Sequence, residues 1–125
     1  MIKAILCGAS GKMGKFVAEA AKSDGDIEIV AGVDRINNGE SFPVFTDFRD
    51  INVNADIIID FSNVSLLDGL LEFAVRSNIP AVIATTGYDS AQIEKIHSAA
   101  KKIPIFFTFN MSIGVNLIAS LAKRA

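Results

Sequence analysis

Ile2-Lys3-Ala4-Ile5-Leu6-Cys7-Gly8-Ala9-Ser10-Gly11-Lys12-Met13-Gly14 opens the chain, and the reading of this stretch decides the fold. Apart from Lys3, residues 2–7 are a continuous apolar run, the pattern of a strand buried on both faces. From Lys12 to Ser23, the apolar residues Met13, Phe16, Val17, Ala20 and Ala21 recur at three- and four-residue spacing. That spacing predicts a helix with those residues on its buried face. The glycines therefore fall in a turn from strand to helix. A helix start offers unpaired backbone N–H groups and the positive end of the macrodipole, which suits a diphosphate. Glycine lets the backbone turn tightly and approach phosphates where a Cβ would collide. Gly14 is expected to let the helix lie close to the first strand. The spacing is G-x-x-G-x-x-G, not the commoner G-x-G-x-x-G, so the placement carries the reading more than the triplet does. A tight turn without a ligand is the alternative.

Outward from this turn, strand and helix patterns alternate. Ile27 to Val33 reads as a strand ending at Asp34, and Arg35 to Phe42, with Asn37-Asn38-Gly39, as a loop. Thr46 to Asn54 is weakly patterned and reads as a short helix and turn. Ala55 to Phe61 is a strand. Val64 to Ser77 is a helix with Leu67, Leu70, Leu71 and Ala74 toward the sheet. Pro80 to Thr85 is a strand, Ser90 to Lys101 a helix and Ile105 to Phe109 a strand, with Phe106 and Phe107 in the core. Ile113 to Arg124 begins a last helix. The alternation predicts an α/β fold, Rossmann-like and doubly wound, with a mostly parallel sheet and helices on both faces. The length of 125 residues suits one dinucleotide-binding domain over 1–125. The end, Ala122-Lys123-Arg124-Ala125, has no capping glycine and reads as a cut between domains.

Composition narrows the classes of function. The chain is 50% hydrophobic and 21% charged with a net charge of −2, so no broad positive field points to nucleic acid or an anionic membrane. No apolar stretch approaches a membrane span. The single cysteine, Cys7, cannot form an internal disulfide, which fits a reducing cytoplasm. It lies in the first strand and reads as a small core residue. His97 reads as a surface residue. One histidine and one cysteine far apart give no metal site, and no nucleophile–base pair is evident.

The remaining candidates lie beyond the strand ends, where open parallel sheets bind ligands. Asp34 stands 20 residues after Gly14, where an acid accepts from adenosine ribose hydroxyls, favouring NADH. Arg35 can pair with a 2′-phosphate or stack on adenine, favouring NADPH. Lys12 and Lys15 are further phosphate candidates, with a solvated helix face as the alternative for Lys15. Asp60-Phe61-Ser62, Ala84-Thr85-Thr86-Gly87 and Phe109-Asn110-Met111-Ser112 combine hydroxyls, small residues and aromatics, a lining suited to a nicotinamide ring. Helix N-capping is the alternative for Asp60 and Ser62, and a turn for Gly87.

Taken together, these segments resemble the N-terminal half of the 4-hydroxy-tetrahydrodipicolinate reductase family. The matching stretches are Gly8 to Gly14, Asp60-Phe61-Ser62, Thr85-Thr86-Gly87 and Asn110-Met111-Ser112-Ile113-Gly114-Val115-Asn116. The last is the most specific, being similar to the family's motif at the junction of its two domains. The resemblance implies reduction of a cyclic imine of lysine and diaminopimelate synthesis by NADH or NADPH. It implies that Gly8, Ser10, Gly11, Lys12, Met13 and Gly14 hold the diphosphate and that Asp34 and Arg35 hold the adenosine ribose. Phe61, Ser62, Thr85, Thr86 and Gly87, with Phe109 and Met111, would line the nicotinamide. The family usually has Thr where this chain has Ser62 and Gly where it has Ala84.

The family's second domain carries a His-His and Lys motif and a Ser-Gly-Thr segment that grips substrate carboxylates, and this sequence stops before them. No residue here is then assigned as catalytic, and the chain alone is expected to lack turnover. The family forms tetramers through second-domain sheets, so this chain is expected to be a monomer or weak dimer. Two other readings are a stand-alone dinucleotide-sensing module and the nucleotide domain of a related dehydrogenase, such as aspartate or homoserine dehydrogenase.

Overall fold

The computed structural model describes residues 2–35 and 42–107 of the chain. Its elements run β1 (Ile2–Cys7), α1 (Lys12–Asp24), β2 (Ile27–Val33), β3 (Val44–Phe45), β4 (Ile57–Asp60), α2 (Leu67–Ser77), β5 (Ala81–Ile83), α3 (Ser90–Ala100) and β6 (Ile105–Phe107). Short 3-10 turns occupy Phe48–Asp50 and Val64–Leu66. The six strands form one sheet in the order β3-β2-β1-β4-β5-β6. Every pairing is parallel.

Alternation along the strands divides the core between two faces. Ala4, Leu6, Ile57, Ile59 and Val82 pack with Val17 and Ala21 of α1. Ile5, Cys7, Ile58 and Ile83 pack with Leu67, Leu70, Leu71 and Ala74 of α2 and with Ile96 and Ala99 of α3. Helices therefore cover both faces, as the doubly wound reading requires. Each fully buried Leu or Ile contributes about 1.5–3 kcal/mol of burial, so these two layers outweigh any single polar contact.

The helix ends follow local chemistry. Gly25, with φ +77°, ends α1 by donating its N–H to Ala21 O at 3.2 Å. Asn78, with φ +54°, ends α2, and Pro80 follows. Asp89 and Gln92 form a reciprocal capping box at the start of α3.

In β2 the register against β1 shifts between Ala4 and Ile5, so that Ala4 pairs with Ile29 but Ile5 with Ala31. The extra residue switches the faces. Ile27 and Ile29 pack on the α1 side, whereas Ala31 and Val33 pack on the side of α2 and α3. Gly32 consequently faces α1, where a Cβ would lie 2.7 Å from the Ala9 Cβ.

Four expectations need correction. The buried ridge of α1 is Gly14, Val17 and Ala21. Phe16 is 58% exposed and Ala20 is also exposed, because close packing of Gly14 on the turn rotates that flank outward. Phe106 is 38% exposed. It shares the face of Val82 on β6, at the opposite end of the strand order from β2, which α1 covers. Strand β3, only two residues long, was not legible as a strand. The predicted helix Val64–Ser77 begins as a 3-10 turn and becomes α-helical at Leu67. The predicted last helix, and the end of the strand expected to reach Phe109, lie outside the described residues.

Candidate dinucleotide-binding site

The strand ends are level. Cys7 pairs with Val33 and Asp60, Asp60 with Ile83, and Ile83 with Phe107. The residues that follow, Gly8, Asp34, Phe61 and Ala84, therefore stand in a row along one edge. At about 4.8 Å per strand, the row from β2 to β5 spans about 14 Å. The order also places β1 between β2 and β4, so the chain switches direction at β1. The crevice at such a switch point is where open α/β sheets bind ligands, and the glycine turn lies there.

The three glycines of the turn differ in what requires them. Gly8 has φ +83°, and a Cβ on it would lie 2.5 Å from the Phe61 carbonyl oxygen. Its N–H donates to Val33 O at 2.8 Å, tying the turn to β2. A Cβ on Gly14 would lie 2.1 Å from Gly8 O and 2.9 Å from Ala9. The close approach at Gly14 is thus to the turn itself, not to the body of the first strand. Gly11 is different. Its φ of −80° is ordinary, and a Cβ there would meet nothing nearer than Gly8 O at 3.5 Å. Among the described residues, packing gives no reason for glycine at this position. Gly11 is the exposed N-cap of α1, with no side chain capping it and no acidic residue in the first turn. A helix start in that state is a fitted receptor for an anion. Lys12 and Lys15 are exposed beside it, and Ser10 and Met13 are half-buried.

Asp34 is tied to the same turn. Its Oδ2 accepts from the Ser10 N–H at 2.8 Å and its Oδ1 from the Arg35 N–H at 2.7 Å. A carboxylate has about four acceptor sites, so two further donors can be received. Arg35 is exposed, and its Nη2 lies 3.4 Å from Ser65 Oγ.

Asp60 is buried, at 1% exposure, beyond the centre of the sheet. Its Oδ1 accepts from the Ser62 N–H at 3.1 Å and from the Ser62 hydroxyl. Its Oδ2 accepts from Thr85 Oγ1 at 3.0 Å and from the Tyr88 hydroxyl at 3.2 Å. The helix cap nearby is Asn63, which accepts from Ser65 N at 2.9 Å, so neither Asp60 nor Ser62 is the capping residue. Thr85 is buried, while Thr86 and Gly87 are exposed. Gly87 has φ +93°, and a Cβ there would only touch Val64 Cγ1 at 3.8 Å, so the turn conformation accounts for it. Tyr88 was not singled out from the sequence.

Burial pushes the Asp60 carboxyl above its usual range, opposed by the hydrogen bonds from Ser62, Thr85 and Tyr88. Burial and the Asp60 charge push the Tyr88 phenol up as well. The folded value of Asp60 lies above the unfolded one, so between them the folded chain holds the extra proton. Its contribution to stability therefore falls as pH rises through that window. Urea denaturation of the chain and of Asp60→Asn, from about pH 4 upward, checks this. The stability of the parent relative to the variant is expected to decline with rising pH, and a flat or rising difference contradicts it. The Cys7 thiol is pushed well up by burial and by the Asp60 and Asp34 carboxylates, which leaves it an unreactive core group.

Phe109, Met111 and the stretch from Asn110 to Asn116 lie outside the described residues. Two surface grooves lie away from the row of strand ends. One, of about 730 Å³, runs between α2 and α3, and one of about 300 Å³ lies between α1 and β2. Among the described residues, no helix is long and apolar enough to cross a membrane.

Known proteins are similar along the whole chain. A 4-hydroxy-tetrahydrodipicolinate reductase of Caldanaerobacter subterraneus subsp. tengcongensis is 43% identical over 125 residues, covering 100% of this chain and 50% of its own. The protein of the same name from Clostridium novyi is 41% identical, covering 98% and 49%. This chain thus spans about half the length of these curated relatives. A solved structure titled dipicolinate bound dihydrodipicolinate reductase, from Paenisporosarcina sp. TG-14, superposes with a TM-score of 0.76 at 21% identity. That match covers 90% of this chain and 49% of the other, and shows the shared fold. The family described as dihydrodipicolinate reductase, N-terminus, matches residues 2–111, and the chain belongs to that family.

Proposed function

We propose that this chain binds NADH or NADPH along its row of strand ends, as the nucleotide-binding half of a reductase acting in diaminopimelate and lysine biosynthesis. The observation that carries the reading is Gly11. It is a glycine that packing among the described residues does not require, at an uncapped helix start on the switch point of the sheet. Gly8, Ser10, Gly11, Lys12, Met13 and Gly14 would hold the diphosphate. Asp34 would receive ribose hydroxyls, and Arg35 would meet a 2′-phosphate. Phe61, Ser62, Thr85, Thr86 and Gly87, with Phe109 and Met111, would line the nicotinamide.

The bound cofactor supplies a hydride, and the substrate suggested by the relatives' name is the cyclic imine 4-hydroxy-tetrahydrodipicolinate. The part of these residues is to bind and orient. The helix start fixes the diphosphate, the β2 end fixes the adenosine, and the ends of β4 and β5 exclude water from one face of the ring. Holding the substrate and protonating it fall to the remainder of the full-length enzyme, a homotetramer in this reading. The chain by itself is then without turnover. A cytoplasmic site of action is part of this reading, supported by a single cysteine that cannot form an internal disulfide.

Titration of NADH or NADPH fluorescence with the chain tests the binding reading. Saturable one-to-one binding of either is the expected result, and no binding of both contradicts it. Arg35→Ala is expected to weaken NADPH about tenfold and NADH much less, because a charge-assisted contact is lost only to the 2′-phosphate. Equal losses for both would show that Arg35 only stacks on adenine.

A further inference from the structure

The cluster around Asp60 is more elaborate than packing demands, and the binding reading uses Ser62 and Thr85 but gives Asp60 and Tyr88 no part. Four donors converge on one carboxylate: the Ser62 N–H, and the hydroxyls of Ser62, Thr85 and Tyr88. An ionised carboxylate only accepts, at about four sites, and all four are filled. No buried side-chain polar atom among the described residues lacks a partner, so the network is complete as it stands.

A hydroxyl has one hydrogen. Once that of Ser62 is given to Asp60, the oxygen can act toward anything else only as an acceptor, and the same holds for Thr85. Thr85 is 5% exposed, whereas Ser62 is half-buried at the open edge. The polarity presented there is therefore set by a residue that does not reach the edge itself. What the Ser62 oxygen has left for a group at that edge is lone pairs, backed by a buried negative charge in a region of low dielectric.

We propose that Asp60 is a positioning residue that holds the Ser62 and Thr85 hydroxyls as acceptors, so that this end of the site selects a ring carrying a carboxamide NH2 over one carrying a carboxylate. The inference rests on the dinucleotide reading and specifies its nicotinamide end. An amide N–H2 donates to the Ser62 oxygen. A ring carboxylate brings no donor and meets lone pairs and the Asp60 charge.

The test compares three probes on the full chain: NADH, reduced nicotinic acid adenine dinucleotide, and ADP-ribose, which lacks the ring. The parent is expected to prefer NADH over the carboxylate analogue by about tenfold or more. In Asp60→Asn the amide oxygen stays toward the Ser62 N–H and the NH2 takes the place of Oδ2, where it donates to Thr85 or Tyr88, so the buried charge that opposes a ring carboxylate is gone. The preference is then expected to shrink to within about threefold while ADP-ribose affinity holds. Ser62→Ala removes the acceptor and one of the four donors to Asp60, but keeps the buried acid with its Thr85 and Tyr88 partners. It should weaken NADH about three- to tenfold, again sparing ADP-ribose.

An unchanged preference in a folded Asp60→Asn chain overturns the inference. So does a parallel fall in ADP-ribose affinity, which would make Asp60 structural only. If Asp60→Asn does not fold, Ser62→Ala decides, and unaltered NADH binding overturns it. A parent that binds both dinucleotides equally refutes this inference alone. A parent that binds none of the three probes refutes the binding reading beneath it.

Discussion

Gly14→Ala is expected to destabilise the chain by about 2 kcal/mol and to remove dinucleotide binding. Two effects oppose each other. Alanine improves helix propensity over glycine by about 1 kcal/mol. Against this, its Cβ would lie 2.1 Å from Gly8 O and 2.9 Å from Ala9. These are backbone atoms, so no side-chain rotation relieves the overlap, and a cost near 3 kcal/mol, toward the upper end for overpacking, is appropriate. The overlap wins. The turn must then move, and with it the Gly8 N–H bond to Val33 O at 2.8 Å and the Ser10 N–H bond to Asp34 at 2.8 Å. Urea denaturation gives the first number and NADH titration the second. A variant as stable as the parent would show that α1 does not rest on the turn.

Gly11→Ala separates anion binding from folding. The backbone there suits any residue, and the nearest atom to an added Cβ is 3.5 Å away. Alanine is a poorer N-cap than glycine but restricts the unfolded chain, so stability should change by less than about 1 kcal/mol. The methyl group would stand in the space before the helix start, where the proposed binding mode brings the diphosphate closest. NADH and ADP-ribose affinities are both expected to fall more than about tenfold, a loss of about 1.4 kcal/mol or more. Unchanged affinity for both would mean that the dinucleotide lies elsewhere, whatever the stability result.

The two variants also show what the sequence made legible. G-x-x-G-x-x-G after a buried strand located the turn, and the alternation of elements gave the parallel, doubly wound sheet. It did not reveal that Gly8 and Gly14 serve the chain's own packing while Gly11 is not held to glycine by any described neighbour. That distinction depends on atoms brought together by the fold. The bulge in β2 was likewise hidden. Ile27, Ile29, Ala31 and Val33 read as one alternating face, yet the register shift divides them between two. That shift turns Gly32 toward α1, and Asp34 two residues on reaches Ser10.

Helix periodicity misjudged α1 by one flank. Met13, Phe16 and Ala20 form as regular a stripe as Gly14, Val17 and Ala21, and a glycine carries no hydrophobic signal of its own. The Asp60 cluster was half legible. Asp60, Ser62 and Thr85 stood out as polar residues at strand ends, but their convergence, and the part of Tyr88, required the pairing of β4 with β5.

A crystal structure of the chain with NADH bound tests the central claim most directly. The diphosphate oxygens should lie within about 3.2 Å of the backbone nitrogens of Lys12 or Met13, with the adenosine toward Asp34 and the ring toward Ser62. A diphosphate bound away from the start of α1, with those amides still facing solvent, would contradict it.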